Sequence, residues 1–216
     1  MCGRYSLGLN RLQLEEVTGR VVPAEYKPSY NIAPTQSAAV ILNTQPDRIE
    51  LLRFGLIPAW SVASGNKGYT MINARAETLG AKATFRALVG TKRCVVLADG
   101  YYEWKKVETV KEPYRIVSRQ GLLHMAGLWT ESTQEDGSVL RSFSIITVPP
   151  NDLLSAIHDR MPVLLTVAEM DNWLTDGDVN LLDAAPSGDV NAFRVSVAVN
   201  NPRNNSSNLI VPLALK

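Results

Sequence analysis

Two spacings of apolar residues run through this chain. In one, apolar side chains recur at every position or every second position over short stretches, the period of a strand. It is found in AAVIL (38–42), IELLRFGL (49–56), CVVLA (94–98), YRIVS (114–118), LLHMAGLW (122–129), SFSIIT (142–147) and FRVSVAV (193–199). In the other they recur at helical spacing. NRLQLEEVTG (10–19) reads as a helix with Asn10 as cap, Gln13 at the capping-box position and Gly19 to close it. KATFRALV (82–89), NDLLSAIH (151–158, capped by Asn151) and TVAEMDNWLT (166–175, framed by Thr166 and Glu169) read the same way. SYNIAPTQ (29–36) has turn chemistry, and NNPRNNSSN (200–208) is polar and loop-like. Strands outnumber helices and do not alternate with them regularly, which disfavours a doubly wound parallel sheet. The pattern predicts one α+β domain over residues 1–216, with mainly antiparallel sheets, a barrel-like core and helices around it.

Composition narrows the picture. The chain has 216 residues, enough to bury a core without staples, and 45% of them are hydrophobic. With 22 basic and 21 acidic residues the formal charge is +1, so the protein is not basic all over, and any basic groove must be local. No apolar run reaches the length of a membrane span and no signal-peptide pattern opens the chain, so the expected address is the cytoplasm. There are only two cysteines and two histidines. Four clustered ligands for a structural zinc ion are missing, and the sequence calls for no metal and no cofactor. Cys94, inside CVVLA, reads as a small core residue.

The other cysteine is less easily explained. Position 2 usually lies in a solvated chain end, where a thiol has nothing to pack against. Removal of Met1 by an aminopeptidase would give Cys2 both an α-amine and a thiol, two carbons apart. Four other polar placements interrupt apolar context. In MINARAET (71–78), Asn73 and Arg75 would share one face of a strand. In ADGYYEWKK (98–106), Glu103 lies between Tyr102 and Trp104. It either points to water or is desolvated, and desolvation would raise its pKa toward that of a general acid or base. In AIHDRMPVLL (156–165), His158 is followed by Asp159 and Arg160, and is either structural or a proton shuttle. In the Pro- and Gly-rich loop 55–68, Trp60 either caps the core or binds something flat.

Taken in order, MCGRY, YNIAPTQ, FGLIPAW, INARAET, ADGYYEW and IHDRMPV give the chain a resemblance to the SOS response-associated peptidase family, the abasic-site processing proteins. The resemblance runs from residue 2 to NLIVPL (208–213). Here Phe54 stands where relatives commonly have Trp, and Trp60 is followed by Ser61 where some relatives have a second aromatic. The resemblance implies a protein, expected to be a monomer, that binds single-stranded DNA at an abasic site and bonds to it covalently. The Cys2 amine would form a Schiff base with C1′ of the opened sugar, and the thiol would close a thiazolidine. An α-amine suits this, because its reference pKa of about 7.7–8.0 leaves a useful fraction neutral. The resemblance also makes Cys2, Asn73, Glu103 and His158 the catalytic set, and implies weak lyase and self-processing peptidase activity. Arg4, Arg75 and Arg160 would contact DNA, with Lys67 and Arg86 along the groove and Trp60 as a stacking platform. Two alternatives stay open at this point. N-terminal-nucleophile glutamine amidohydrolases also begin Met-Cys-Gly, and a non-enzymatic single-strand-binding module would not need Cys2 at all.

Overall fold

The computed structural model describes residues 2–63, 70–183 and 189–213. Thirteen strands are described: β1 (Tyr5–Leu7), β2 (Ser29–Ile32), β3 (Ser37–Leu42), β4 (Gln45–Phe54), β5 (Asn73–Arg75), β6 (Arg93–Ala98), β7 (Gly100–Val107), β8 (Val110–Ser118), β9 (Leu123–Thr133), β10 (Val139–Val148), β11 (Met161–Pro162), β12 (Leu164–Leu165) and β13 (Val190–Arg194). The described α-helices are α1 (Arg11–Thr18), α2 (Ala59–Ala63), α3 (Ala83–Thr91), α4 (Asp152–Ser155) and α5 (Val167–Thr175).

Five strands close a barrel in the order β10-β4-β3-β6-β9, with β9 pairing back onto β10. The β4–β10 seam is parallel and the other four pairings are antiparallel. β5 adds to β10 in parallel, with Asn73 opposite Ile145. All six residues of β6 are buried: the apolar run 94–98 fills the barrel with one face and lies under helices with the other, while Arg93 is held by carbonyls at the end of α5. Trp173 of α5 donates its indole N–H to the carbonyl of Cys94 at 3.0 Å. A Cβ at Gly127 would come within 2.9 Å of Cys94 Sγ and of the Ser144 carbonyl, so only glycine fits this close approach.

A second sheet, in the order β13-β8-β7-β1-β2, lies against the barrel. Its inner face carries Tyr5, Tyr101 and Ile116 into the main core. Tyr5 meets Phe54 edge-on at 5.4 Å, and Phe54 stacks on Phe143 at 5.3 Å. Its outer face carries Tyr102 and Trp104, which pack with Val195, Val199 and Leu209 of the C-terminal segment. The chain crosses from barrel to sheet at Asp99-Gly100. The Asp99 carboxylate accepts from Ser6 Oγ (2.5 Å), the Gly8 N–H (2.6 Å) and Arg115 Nη2 (2.8 Å). A Cβ at Gly100 would lie 2.7 Å from the Arg115 guanidinium carbon, so a larger residue there would displace that buried side chain from Asp99.

The single α+β domain with antiparallel pairing and a barrel core agrees with the sequence pattern. Three local expectations change. NDLLSAIH forms only the single turn of α4; Asn151 caps it, accepting from the Leu154 N–H at 3.0 Å. The chain then leaves the helix so that His158 and Arg160 can reach partners on other elements. FRVSVAV is a strand only to Arg194 and becomes a 3₁₀ turn at Val197–Asn200. The cause lies elsewhere in the fold: the buried Asn31 donates Nδ2 to the carbonyls of Val199, Asn201 and Asn204 and pulls the segment out of the extended form. SYNI of the expected turn is strand β2, and the turn follows at Thr35, which adopts φ 78°.

Candidate functional site

Alternation along β7 positions the carboxylate. Tyr101 and Glu103 share the inner face of the sheet, while Tyr102 and Trp104 point outward beneath the C-terminal segment. Glu103 therefore owes its burial to the barrel side and not to the aromatics on either side of it in sequence. It is 3% exposed, and that burial raises its pKa from 4.5 to about 7. Its Oε2 lies 3.6 Å from His158 Nε2.

His158 follows the single turn of α4, and its backbone N–H still donates to Leu154 O at 3.0 Å. Its Nδ1 has two neighbours with opposite demands. It accepts from the Arg160 backbone N–H at 3.1 Å, and it lies 2.8 Å from Asp159 Oδ1. The first contact requires a bare Nδ1 and the second a protonated one, so the two suit different protonation states of the ring. Partial burial lowers the pKa of His158, which keeps the ring mostly neutral at pH 7.

Cys2 is fully buried just ahead of β1. Burial pushes its thiol well above the usual range, and the Glu103 charge adds to the effect. The thiol is thus held protonated beside a carboxylate that is part-ionised at neutral pH. Asn73 on β5 donates Nδ2 to the Cys2 carbonyl at 3.2 Å. That bond fixes the amide orientation and leaves Asn73 Oδ1 buried, with no hydrogen-bond partner among the described residues. Tyr5 and Tyr101 line the same pocket of core, and each phenol is held neutral by burial, with the Cys2 thiolate position adding to it.

The residues expected to contact DNA fall into three groups. Trp60 is half exposed on α2, its Nε1 3.3 Å from Thr84 Oγ1, and Arg75 and Arg86 are exposed. Arg4 and Arg160 are engaged by the protein itself. Arg4 Nη1 donates to Asn31 Oδ1 (2.8 Å) and Val199 O (2.9 Å). Arg160 grips both oxygens of Glu77 at 2.5 and 2.9 Å and donates to Thr147 O at 2.6 Å. Lys67 lies outside the described residues. Sequence reasoning missed Glu77 and Asp159. Each lies within a quoted motif, but neither spacing nor composition sets it apart from a solvated acid. Among the described residues, no group of three or more Cys, His, Asp or Glu side chains is arranged to hold a metal ion.

Residues 1–202 match the family described as SOS response associated peptidase (SRAP). Abasic site processing protein YoqW of Bacillus subtilis is 42% identical over 97% of this chain and 99% of its own length. Abasic site processing protein HMCES of Xenopus tropicalis is 34% identical over 88% of this chain and 68% of its own. A crystal structure of a Bacteroides thetaiotaomicron protein superimposes with a TM-score of 0.89 at 24% identity, covering 99% of this chain and all of that one, which bears on the fold alone. With the fold, the buried start of the chain and these matches agreeing, the chain belongs to the SRAP family, whose relatives here are abasic site processing proteins.

Proposed function

We propose that this protein processes abasic sites in single-stranded DNA by forming a covalent adduct through Cys2 once Met1 is removed. The observation that carries the reading is the position of Cys2: buried, bonded through its carbonyl to Asn73, and close enough to Glu103 for that charge to act on the thiol. Cys2 packs into the main core, and the carboxylate whose charge acts on its thiol has a pKa near 7, which suits proton transfer at neutral pH.

The steps balance as follows. The Cys2 amine adds to the C1′ aldehyde of the opened sugar. Protonated Glu103 donates to the departing hydroxyl, water leaves, and an iminium remains with Glu103 as carboxylate. The carboxylate takes the proton from the Cys2 thiol, Sγ bonds to C1′, and the C=N electron pair returns to nitrogen, which keeps its one hydrogen as the ring amine. The sum is amine plus aldehyde plus thiol giving a thiazolidine and one water. Glu103 sees its proton leave and return, which calls for the near-neutral pKa that burial gives it. His158, 3.6 Å away, relays that proton by exchanging Arg160 for Asp159 at Nδ1. Asn73 cannot ionise. Its unpartnered Oδ1 is suited to accept a hydrogen from the freed Cys2 amine and aim its lone pair. Arg75, Arg86 and Trp60 supply phosphate and base contacts, while Arg4 and Arg160 brace the two loops that carry the chemistry.

Membership in the SRAP family weighs against the glutamine amidohydrolase alternative. The test is intact mass spectrometry after incubation with a single-stranded oligonucleotide carrying one abasic site. The expected species is the protein without Met1 plus the DNA minus one water. Cys2→Ala should give none, and Cys2→Ser only a borohydride-trappable imine. An adduct that survives in Cys2→Ala would overturn the reading.

A further inference from the structure

A cavity of about 550 Å³ opens beside this site, within the usual size range of a small-ligand pocket. Its walls are apolar, formed by Leu79, Val89, Val148, Pro149, Val179 and Leu182, with Glu77, Arg86 and Asp183 among them as charged groups. Two chain segments link its lining to the proposed DNA site. Ala76 and Glu77 on its lining directly follow β5, so the cavity begins three residues from Asn73, about 10 Å of extended chain. Val148 follows Thr147, whose carbonyl holds Arg160. Glu77 on the lining is held by Arg160, two residues from His158, and that contact largely neutralises its carboxylate. Two exposed cations belong to these segments: Arg86 is on the lining and Arg75 directly precedes Ala76.

We propose that this cavity receives the base of the nucleotide adjoining the abasic sugar on the same strand. The proposal rests on the abasic-site reading and deepens it. A base offers two apolar faces to the walls and a polar edge to Arg86 and Asp183, and its phosphate falls between Arg75 and Arg86. An abasic nucleotide has no base with which to anchor the strand, so a neighbouring base held in a slot would set the register of the sugar against Cys2.

Gly80 makes a clean test. It is on the cavity lining, no atom lies within 4 Å of a Cβ built there, and its φ lies outside the left-handed region, so a side chain is accommodated at the lining without moving backbone. The experiment compares adduct formation rates at limiting DNA, for oligonucleotides with a normal base or a baseless tetrahydrofuran spacer on each side of the abasic site. Wild type is expected to react roughly tenfold more slowly when the spacer replaces the base on one side, the range found for loss of one bound base. Gly80→Leu is expected to react slowly with both DNAs and to lose the discrimination, while reaching the wild-type adduct yield at saturating DNA. Val179→Trp, at another lining position that is 53% exposed, enlarges a second part of the lining and should do the same. If wild type ignores the spacer on both sides, or both filled variants keep full discrimination, the pocket assignment falls and the abasic-site reading stands. If no DNA gives an adduct, both fall together.

Discussion

Replacing Glu103 by Gln isolates the most consequential electrostatic feature of the site. In the folded protein this carboxyl is 3% exposed and its pKa is raised from 4.5 to about 7. A carboxyl raised in this way stabilises the fold fully only below its unfolded pKa, and that contribution is lost as pH rises through the folded value. Each pH unit between the two values costs about 1.36 kcal/mol, so the loss between pH 4.5 and 7 is on the order of 3 kcal/mol. Above that range the folded and unfolded states are both ionised and the loss stops growing. Gln keeps the shape and does not titrate. The stability of Glu103→Gln minus that of wild type, from urea denaturation at intervals between pH 4.5 and 8.5, should therefore climb by about 3 kcal/mol and then level off. Adduct formation by the same variant should be at least a hundredfold slower at pH 7, since proton transfer by a positioned acid or base contributes about 10²–10⁴-fold. A stability difference that stays constant to within about 0.5 kcal/mol over this range would refute the burial argument, whatever happened to the rate.

Two further substitutions probe the frame that holds the site. Arg93, 5% exposed, donates to Trp173 O, Leu174 O and Thr175 O at the end of α5 and to Val89 O of α3. Arg93→Ala should cost about 3 kcal/mol or more in urea denaturation, because it strips a charged donor from several buried carbonyls at once. Asn31→Ala removes the clasp on Val199, Asn201 and Asn204 and the acceptor for Arg4. It should cost about 2 kcal/mol, and limited proteolysis should cut within residues 199–208 several-fold faster.

The pattern of the sequence alone determined the elements whose reasons are local. The capping boxes of Asn10 with Gln13 and of Thr166 with Glu169 set the starts of α1 and α5. The unbroken apolar run of β6 already required cover on both faces, and the strand count without alternating helices required antiparallel pairing. The ordered motifs that carry the family resemblance were likewise legible. Only the tertiary structure decided where side chains point and what they meet. The sequence left open whether Glu103 points to water or is desolvated; β7 sends the carboxylate to the opposite face from Tyr102 and Trp104 and buries it there. Arg160 looks like a free cation until Glu77, more than eighty positions earlier, is seen in its grip. FRVSVAV has every mark of a strand, and it bends into a 3₁₀ turn because Asn31 and Arg4 compete for its carbonyls. The physical reason is the same in each case: local spacing fixes periodicity, whereas burial, charge pairing and proton affinity depend on atoms that are distant along the chain and close only after folding.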